Sequence, residues 1–342
     1  MVTEAKNCGI KSVIVPYENW KEAESVTDIE VIGIRTLREA VQFLEGKKIP
    51  LKEGNMEYVQ HDGTVQWGVD FSDVKGQSEL IDAIVLGAAG GHNVLMIGEP
   101  GCGNTMIAER IPTILPLMTE KEALEVTKIH SISGLLPEKH GLMINRPFRA
   151  PHHNISLNAL IGGGSFAQPG EVSLSHNGVL FLDELAEFSK STLDELRQPL
   201  ENKKVTISRV NGTNTYPANF MLVAAMNSCP CGYYPGSRCR CTDYEILHYR
   251  GKISGPILER IDIQKNVKHV DYFSLSEEKS EQTSADLREK VENARRIQQE
   301  RFKDETSINC NAQMNTPMIQ RYCKLDEEST KILKSASEKY GY

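Results

Sequence analysis

Residues 98–105 read Gly98-Glu99-Pro100-Gly101-Cys102-Gly103-Asn104-Thr105 and follow the apolar run Val94-Leu95-Met96-Ile97. A glycine-rich turn between a buried strand and a helix can wrap backbone N–H groups around phosphates, and the helix N-terminus adds a positive field. In the motif G-x-x-x-x-G-K-[ST] the hydroxyl ligates Mg2+ and the lysine reaches the β- and γ-phosphates. Thr105 supplies the hydroxyl, but Asn104 stands in the lysine position. Asparagine is short, neutral and half acceptor, so a charge-assisted contact of about 1.5–3 kcal/mol is lost. A missing transition-state donor costs about 10²–10³ in rate.

A second buried run, Val179-Leu180-Phe181-Leu182, ends in Asp183-Glu184, and a third, 220–225, ends in Met226-Asn227. Asp183 is expected to hold Mg2+ through water, and Glu184 to polarise an attacking water. Asn227 reads as a polar sensor beside that water. Each feature has an ordinary counterpart: a glycine turn that binds nothing, an acidic helix cap, a turn asparagine. Together, at the ends of three strands, they predict a site for ATP and Mg2+. Its phosphate cradle is Gly98, Glu99, Pro100, Gly101, Cys102, Gly103, Asn104, Thr105 and Met106.

Four of the eight cysteines fall close together, as Cys229-x-Cys231 and Cys239-x-Cys241. Four thiolates can close a tetrahedral Zn2+ site, and Arg238 and Arg240 would offset its negative charge. The alternative is a set of unligated cysteines bracing a glycine-rich loop. The adjacent pair His152-His153 lacks the i, i+4 spacing of a helical metal site and reads as polar loop residues. Cys102 reads as a replacement for a small residue; Cys8, Cys310 and Cys323 carry no signal.

These residues need a scaffold, and the chain has ample length for one. It has 342 residues, 39% of them apolar and 25% charged, which suits a globular core. Its net charge of −7 argues against a uniformly basic coat for nucleic acid but not against a local basic channel. The sequence contains no apolar run as long as a membrane span and no signal-like apolar region at its start, so a cytoplasmic location is expected.

Patterning predicts strands over 11–15 and 30–34 and helices over 20–25 and 37–44. A polar stretch at 50–63 reads as a linker or hairpin, and a helix is expected over 78–87. Segments 205–209 and 214–218 flank Asn211-Gly212, a hairpin signal. From Asp286 onward Leu287, Val291 and Ala294 recur at helical spacing, and a further helix is expected over 327–339.

Longer runs carry a resemblance. They include Arg146-Pro147-Phe148-Arg149-Ala150-Pro151-His152-His153, Pro169-Gly170-Glu171-Val172-Ser173-Leu174-Ser175-His176-Asn177-Gly178 and Leu196-Arg197-Gln198-Pro199-Leu200-Glu201. To these add Asn227-Ser228-Cys229-Pro230-Cys231-Gly232 and Lys252-Ile253-Ser254-Gly255-Pro256-Ile257-Leu258-Glu259-Arg260-Ile261-Asp262. In this order they resemble the magnesium-chelatase-like, ComM-type (YifB) family of bacterial AAA+ proteins.

The resemblance implies an α/β fold: an AAA+ P-loop NTPase core with a parallel sheet over 71–270 and a C-terminal helical lid over 271–342. Residues 1–50 would be the tail of a Lon-protease-like domain, joined by a linker at 51–70, so the chain is expected to be truncated at both ends. Arg260 matches the family's arginine finger, which acts on a neighbour's nucleotide in a ring, usually a hexamer. Members active in natural transformation are DNA helicases that drive branch migration. DNA contact is expected near Lys203, Lys204, Arg209 and the Gly162-Gly163-Gly164 loop; an ordinary solvated hairpin is the alternative. Asn104 leaves three readings open: an active motor, a nucleotide-binding or assembly module with little hydrolysis, or a decayed gene copy.

Overall fold

A computed structural model describes residues 1–24, 26, 28–47, 68–136, 142–209, 212–267, 282–305 and 308–340. The chain begins with a small unit. Strand β1 (Ser12–Pro16) pairs in parallel with β2 (Glu30–Ile34), and the helix Trp20–Glu24 lies between them in sequence. Trp20 closes this unit, because its Nε1 donates to Val31 O at 3.3 Å and Gly33 leaves space for its ring. A helix over Val2–Asn7, unexpected from the sequence, precedes β1.

The main body is a five-stranded sheet. Its strands are β3 (Val94–Gly98), β4 (Phe148–Arg149), β7 (Val179–Leu182), β10 (Met221–Asn227) and β11 (Ile263–Val267). Two short hairpins intervene in sequence: β5 (Gly162–Gly163) with β6 (Gln168–Pro169), and β8 (Lys204–Arg209) with β9 (Gly212–Pro217). The sheet order is β11-β3-β10-β7-β4, with every neighbouring pair parallel. All five C-terminal ends therefore share one edge, where a ligand crevice forms.

Alternation along the central strands explains why they are apolar throughout. Leu95, Leu180, Leu182, Leu222 and Ala224 enter one core cluster, and Val94, Met96, Val179, Phe181, Val223 and Ala225 enter the other. The second face is covered by the helices Ser78–Gly90, Asn104–Ile114 and Ser284–Arg301, through Leu80, Ile84, Ile107, Ile111, Leu287 and Val291. Each such side chain, fully buried, contributes about 1.5–3 kcal/mol.

Polar ties fix the register around this core. Asn93 donates from Nδ2 to Arg260 O at 2.7 Å and accepts at Oδ1 from Leu222 N at 2.9 Å. It so joins the starting ends of β3, β10 and β11. The helix Ser284–Arg301 opens on a capping box of Thr283 and Asp286. Thr113 Oγ1 donates to Ser284 Oγ at 2.8 Å, and Arg288 Nε donates to Thr113 O at 2.7 Å. This C-terminal helix is thus packed on the helix that follows the phosphate loop.

The expected helix over 78–87 runs through Gly90, and the one over 327–339 reaches Tyr340. The expected hairpin is present, though its second strand starts at Gly212; Asn211 lies outside the described residues. So do the stretch 50–63 and the residues on either side of the expected boundary at 270. Among the described residues no helix is long and apolar enough to cross a membrane.

Candidate active site

The phosphate loop leaves β3 at Gly98. A Cβ there would stand 3.0 Å from Val267 Cβ, so a larger residue would crowd the β3–β11 pair at this point. Gly101 and Gly103 hold φ +81° and +84°, the left-handed region that costs glycine least. Gly103 caps the helix Asn104–Ile114, whose first N–H groups are left facing the crevice. Cys102 is buried in the core beneath, where desolvation pushes its thiol up and keeps it protonated. Met106 lies on the first turn and is 38% exposed.

Thr105 Oγ1 donates to Asp183 Oδ2 at 2.8 Å, across 78 residues of sequence. The sheet brings them together: β3 and β7 flank β10, and Asn227 at the end of β10 pairs in register with Gly98. A hydroxyl, a carboxylate and a polar amide thus converge on one crevice. Asp183 Oδ1 also accepts from Glu184 N at 2.9 Å. Glu184 itself sits at φ +52°, a conformation costly for a residue with a Cβ and concentrated at functional sites.

Two features escape the sequence reading. His153 Nδ1 lies 2.9 Å from Glu184 Oε2, so this residue is a partner of the second carboxylate, not merely a polar loop residue. It follows β4, the neighbour of β7, and so belongs to the same edge of strand ends. The second is Glu99, whose Oε2 accepts from Arg238 Nη2 at 2.5 Å. Arg238 also stacks over the Tyr233 ring at 4.5 Å. It is therefore tied to the phosphate loop through Glu99.

Asn104 occupies the first position of its helix. Its Oδ1 is buried and has no hydrogen-bond partner among the described residues. An orphaned acceptor beside a phosphate cradle is the reverse of what lysine offers.

The four cysteines converge. The Sγ atoms of Cys229, Cys231, Cys239 and Cys241 all lie within 4.8 Å of one another, with individual separations of 3.4, 3.8 and 3.7 Å among the first three. A tetrahedral zinc site with Zn–S near 2.3 Å has sulfur–sulfur edges of about 3.8 Å. Backbone N–H bonds from Arg240 and Tyr233 pull the Cys231 thiol down to about 6. An N–H bond from Cys231 pulls Cys241 down, but burial and the neighbouring thiols override it and push Cys241 up to about 12. So crowded a set of thiols cannot all ionise without a cation among them. The donor set fits zinc.

Arg260 is not brought to this crevice. It precedes β11, whose Ile263 pairs with Val94 and Val267 with Gly98, so it sits at the opposite end of the sheet. The separation from Gly98 is at least about 13 Å along the strand. Its guanidinium pairs with Glu201, and Nη1 donates to Pro256 O at 2.6 Å. Lys204 and Arg209 are exposed on the hairpin, and Arg209 reaches Asn158 Oδ1 at 3.1 Å beside the Gly162-Gly163 turn. Lys203 differs from expectation. It stands in the left-handed region at φ +54° and lines a half-open cleft of about 500 Å³ with Arg146, His176 and Arg295. Desolvation there lowers its pKa.

Sheet order, glycine cradle and Thr105–Asp183 contact together define a P-loop NTPase of the AAA+ type. The family model described as magnesium chelatase, subunit ChlI, matches residues 70–275, and the model of its C-terminal part matches 281–342. The chain belongs to this magnesium-chelatase-like family, in its ComM/YifB group. It is 40% identical over 333 residues to the competence protein ComM of Haemophilus influenzae, covering 97% of this chain and 64% of the relative. It is 40% identical over 331 residues to the YifB protein of Escherichia coli, covering 95% and 62%. A weaker match, 24% over 196 residues, is to Lon protease 2 of Bacillus subtilis. The chain thus spans somewhat under two thirds of the length of the relatives it matches best among these.

Proposed function

We propose that this chain is the nucleotide-binding engine of a ring-forming ATPase that acts on DNA in the cytoplasm, as a branch-migration motor of natural transformation. The observation that carries the ATP reading is the Thr105–Asp183 contact beneath a glycine cradle. Thr105 and Asp183 would hold Mg2+, and the backbone N–H groups of 101–105 would hold the phosphates. When bound, Mg2+ would supply positive charge against that developing on the phosphates. Glu184 takes the proton of the water as its oxygen bonds to the γ-phosphorus and the bond to the β–γ bridging oxygen breaks, releasing ADP and phosphate; His153 aims the carboxylate, and Asn227 orients the water from the middle strand.

Arg260 then serves a neighbour's nucleotide in a hexamer, because it is too far from its own phosphate loop to act in cis. Within one chain Glu201 occupies it, so ring assembly must exchange that pair for a phosphate. DNA backbone would run past Lys204, Arg209 and the 162–164 turn, contacts that neutralise phosphates without reading bases. The cysteine site would hold Zn2+ as a closed structural centre. Residues 1–50 would be part of a Lon-like domain, 51–70 a linker, 71–270 the core and 271–342 a lid.

A second reading is favoured by Asn104 and its orphaned oxygen: the crevice binds nucleotide but turns it over very slowly. Both readings require binding. Titrating a fluorescent ATP analogue should give saturable binding that needs Mg2+ and weakens about 10- to 100-fold in Asp183→Ala and Thr105→Ala, the loss of one charge-assisted contact each. Binding indifferent to both substitutions would remove the proposal.

A further inference from the structure

The cysteine loop does more than close on itself. It begins at Ser228, directly after Asn227, and its turn lies against the phosphate loop. Gly232 stands at φ +86° so close to Pro100 that an added Cβ would come within 2.5 Å of the proline Cδ and 2.7 Å of its Cγ. Six residues on, Arg238 holds the Glu99 carboxylate and stacks on Tyr233. Glu99 and Pro100 are the two residues between Gly98 and the left-handed Gly101. The outer wall of the phosphate loop is therefore made of residues 232–238, the segment between the two cysteine pairs.

That segment has little to hold it in place. From Cys231 to Cys239 it contains no aliphatic side chain, only glycines, tyrosines, Pro235, Ser237 and Arg238. Its base is tied by Ser228 Oγ, which donates to Tyr234 O at 2.6 Å, and by Arg250, whose Nε donates to Ser228 O at 3.1 Å. The far side, with Arg238, is closed by the sulfur cluster. Four Zn–S bonds would supply the ordering energy that apolar packing does not give this loop.

We infer that the four-cysteine centre is a metal-dependent brace on the phosphate loop: zinc in the cluster fixes 232–238 against Glu99 and Pro100, and zinc loss frees the cradle. The inference rests on the zinc reading above and ties metal supply to nucleotide capacity, a regulation of the same crevice. It predicts that the cradle, Cys102 included, loosens before the sheet does, because β3 keeps its own pairing with β11 and β10.

Cys102 is a built-in reporter, since it is buried within the phosphate loop and must be uncovered to react. The test uses the full chain, loaded with zinc, and measures metal content together with the iodoacetamide alkylation rate of Cys102 by peptide mass spectrometry. Stripping zinc with a chelator under reducing conditions should accelerate Cys102 alkylation about tenfold or more, as local opening becomes cheaper, and zinc should restore the slow rate. Arg238→Ala and Gly232→Ala should retain zinc and still accelerate alkylation. A chain that takes up no zinc would overturn both the zinc reading and the brace. Zinc binding with a Cys102 rate unchanged by its removal would overturn the brace alone. If stripping also uncovers the buried sheet, the two zinc-retaining variants decide, and unchanged Cys102 rates in them sink the inference. Nucleotide enters none of these measurements, so failure of the ATP reading is separable.

Discussion

Asn104→Lys raises steady-state ATP hydrolysis about 10²–10³-fold over the parent chain, the value of one transition-state donor. The rest of the crevice is in place: Thr105 and Asp183 are in contact, Glu184 has its histidine, and Gly101 and Gly103 hold the loop open toward the helix N-terminus. What it lacks is a cation that follows charge as it moves onto the transferred phosphoryl group. Asparagine brings no charge, and its Oδ1 is an acceptor without a donor where phosphate oxygens, also acceptors, would lie. The substitution removes that orphaned oxygen, so it should not unfold the chain. Assayed with Mg2+ and a coupled phosphate readout, a parent already turning over at the variant's rate would mean that another group supplies the charge.

In the Asn104→Lys background, Glu184→Gln lowers hydrolysis about 10²–10⁴-fold, the usual worth of a general base. Glutamine preserves the side-chain length and the left-handed backbone at 184 but cannot take a proton. Asp183 keeps its contact with Thr105, so nucleotide affinity should stay within a few-fold of the parent's. Loss of binding in parallel with turnover would assign Glu184 to metal holding instead, and unchanged turnover would remove it from the chemistry.

The strands that carry the crevice were legible because each is a short, wholly apolar run ending in a polar residue. The sheet is buried on both faces, so β3, β7 and β10 need no alternation, and their ends stand out. The edge strand β11, Ile263-Gln264-Lys265-Asn266-Val267, did not stand out. It has three polar residues in a row between Ile263 and Val267: Gln264 and Asn266 are exposed, and Lys265 is half-buried and pairs with Glu79 at 2.8 Å. Strand β4 is two residues long, too short for any pattern, and so His153 beyond it was read as loop.

Lys203 is less exposed than its sequence suggests. Beside Lys204 it looks like surface charge, yet the helix Arg197–Asn202 ends on it in a left-handed turn and it is half-buried along the cleft with Arg146. The Glu99–Arg238 pair joins residues 139 apart, and no local spacing encodes it. The cysteine cluster was legible by count, but its seat against Pro100 depends on a close approach that only the folded backbone reveals.

The most direct test of the central claim is the structure of this chain with Mg2+ and a non-hydrolysable ATP analogue. The account predicts the phosphates against the amides of 101–105, with Mg2+ about 2.0–2.1 Å from Thr105 Oγ1 and a metal-bound water on Asp183. A nucleotide seated elsewhere, or a metal held without Thr105 and Asp183, would contradict it.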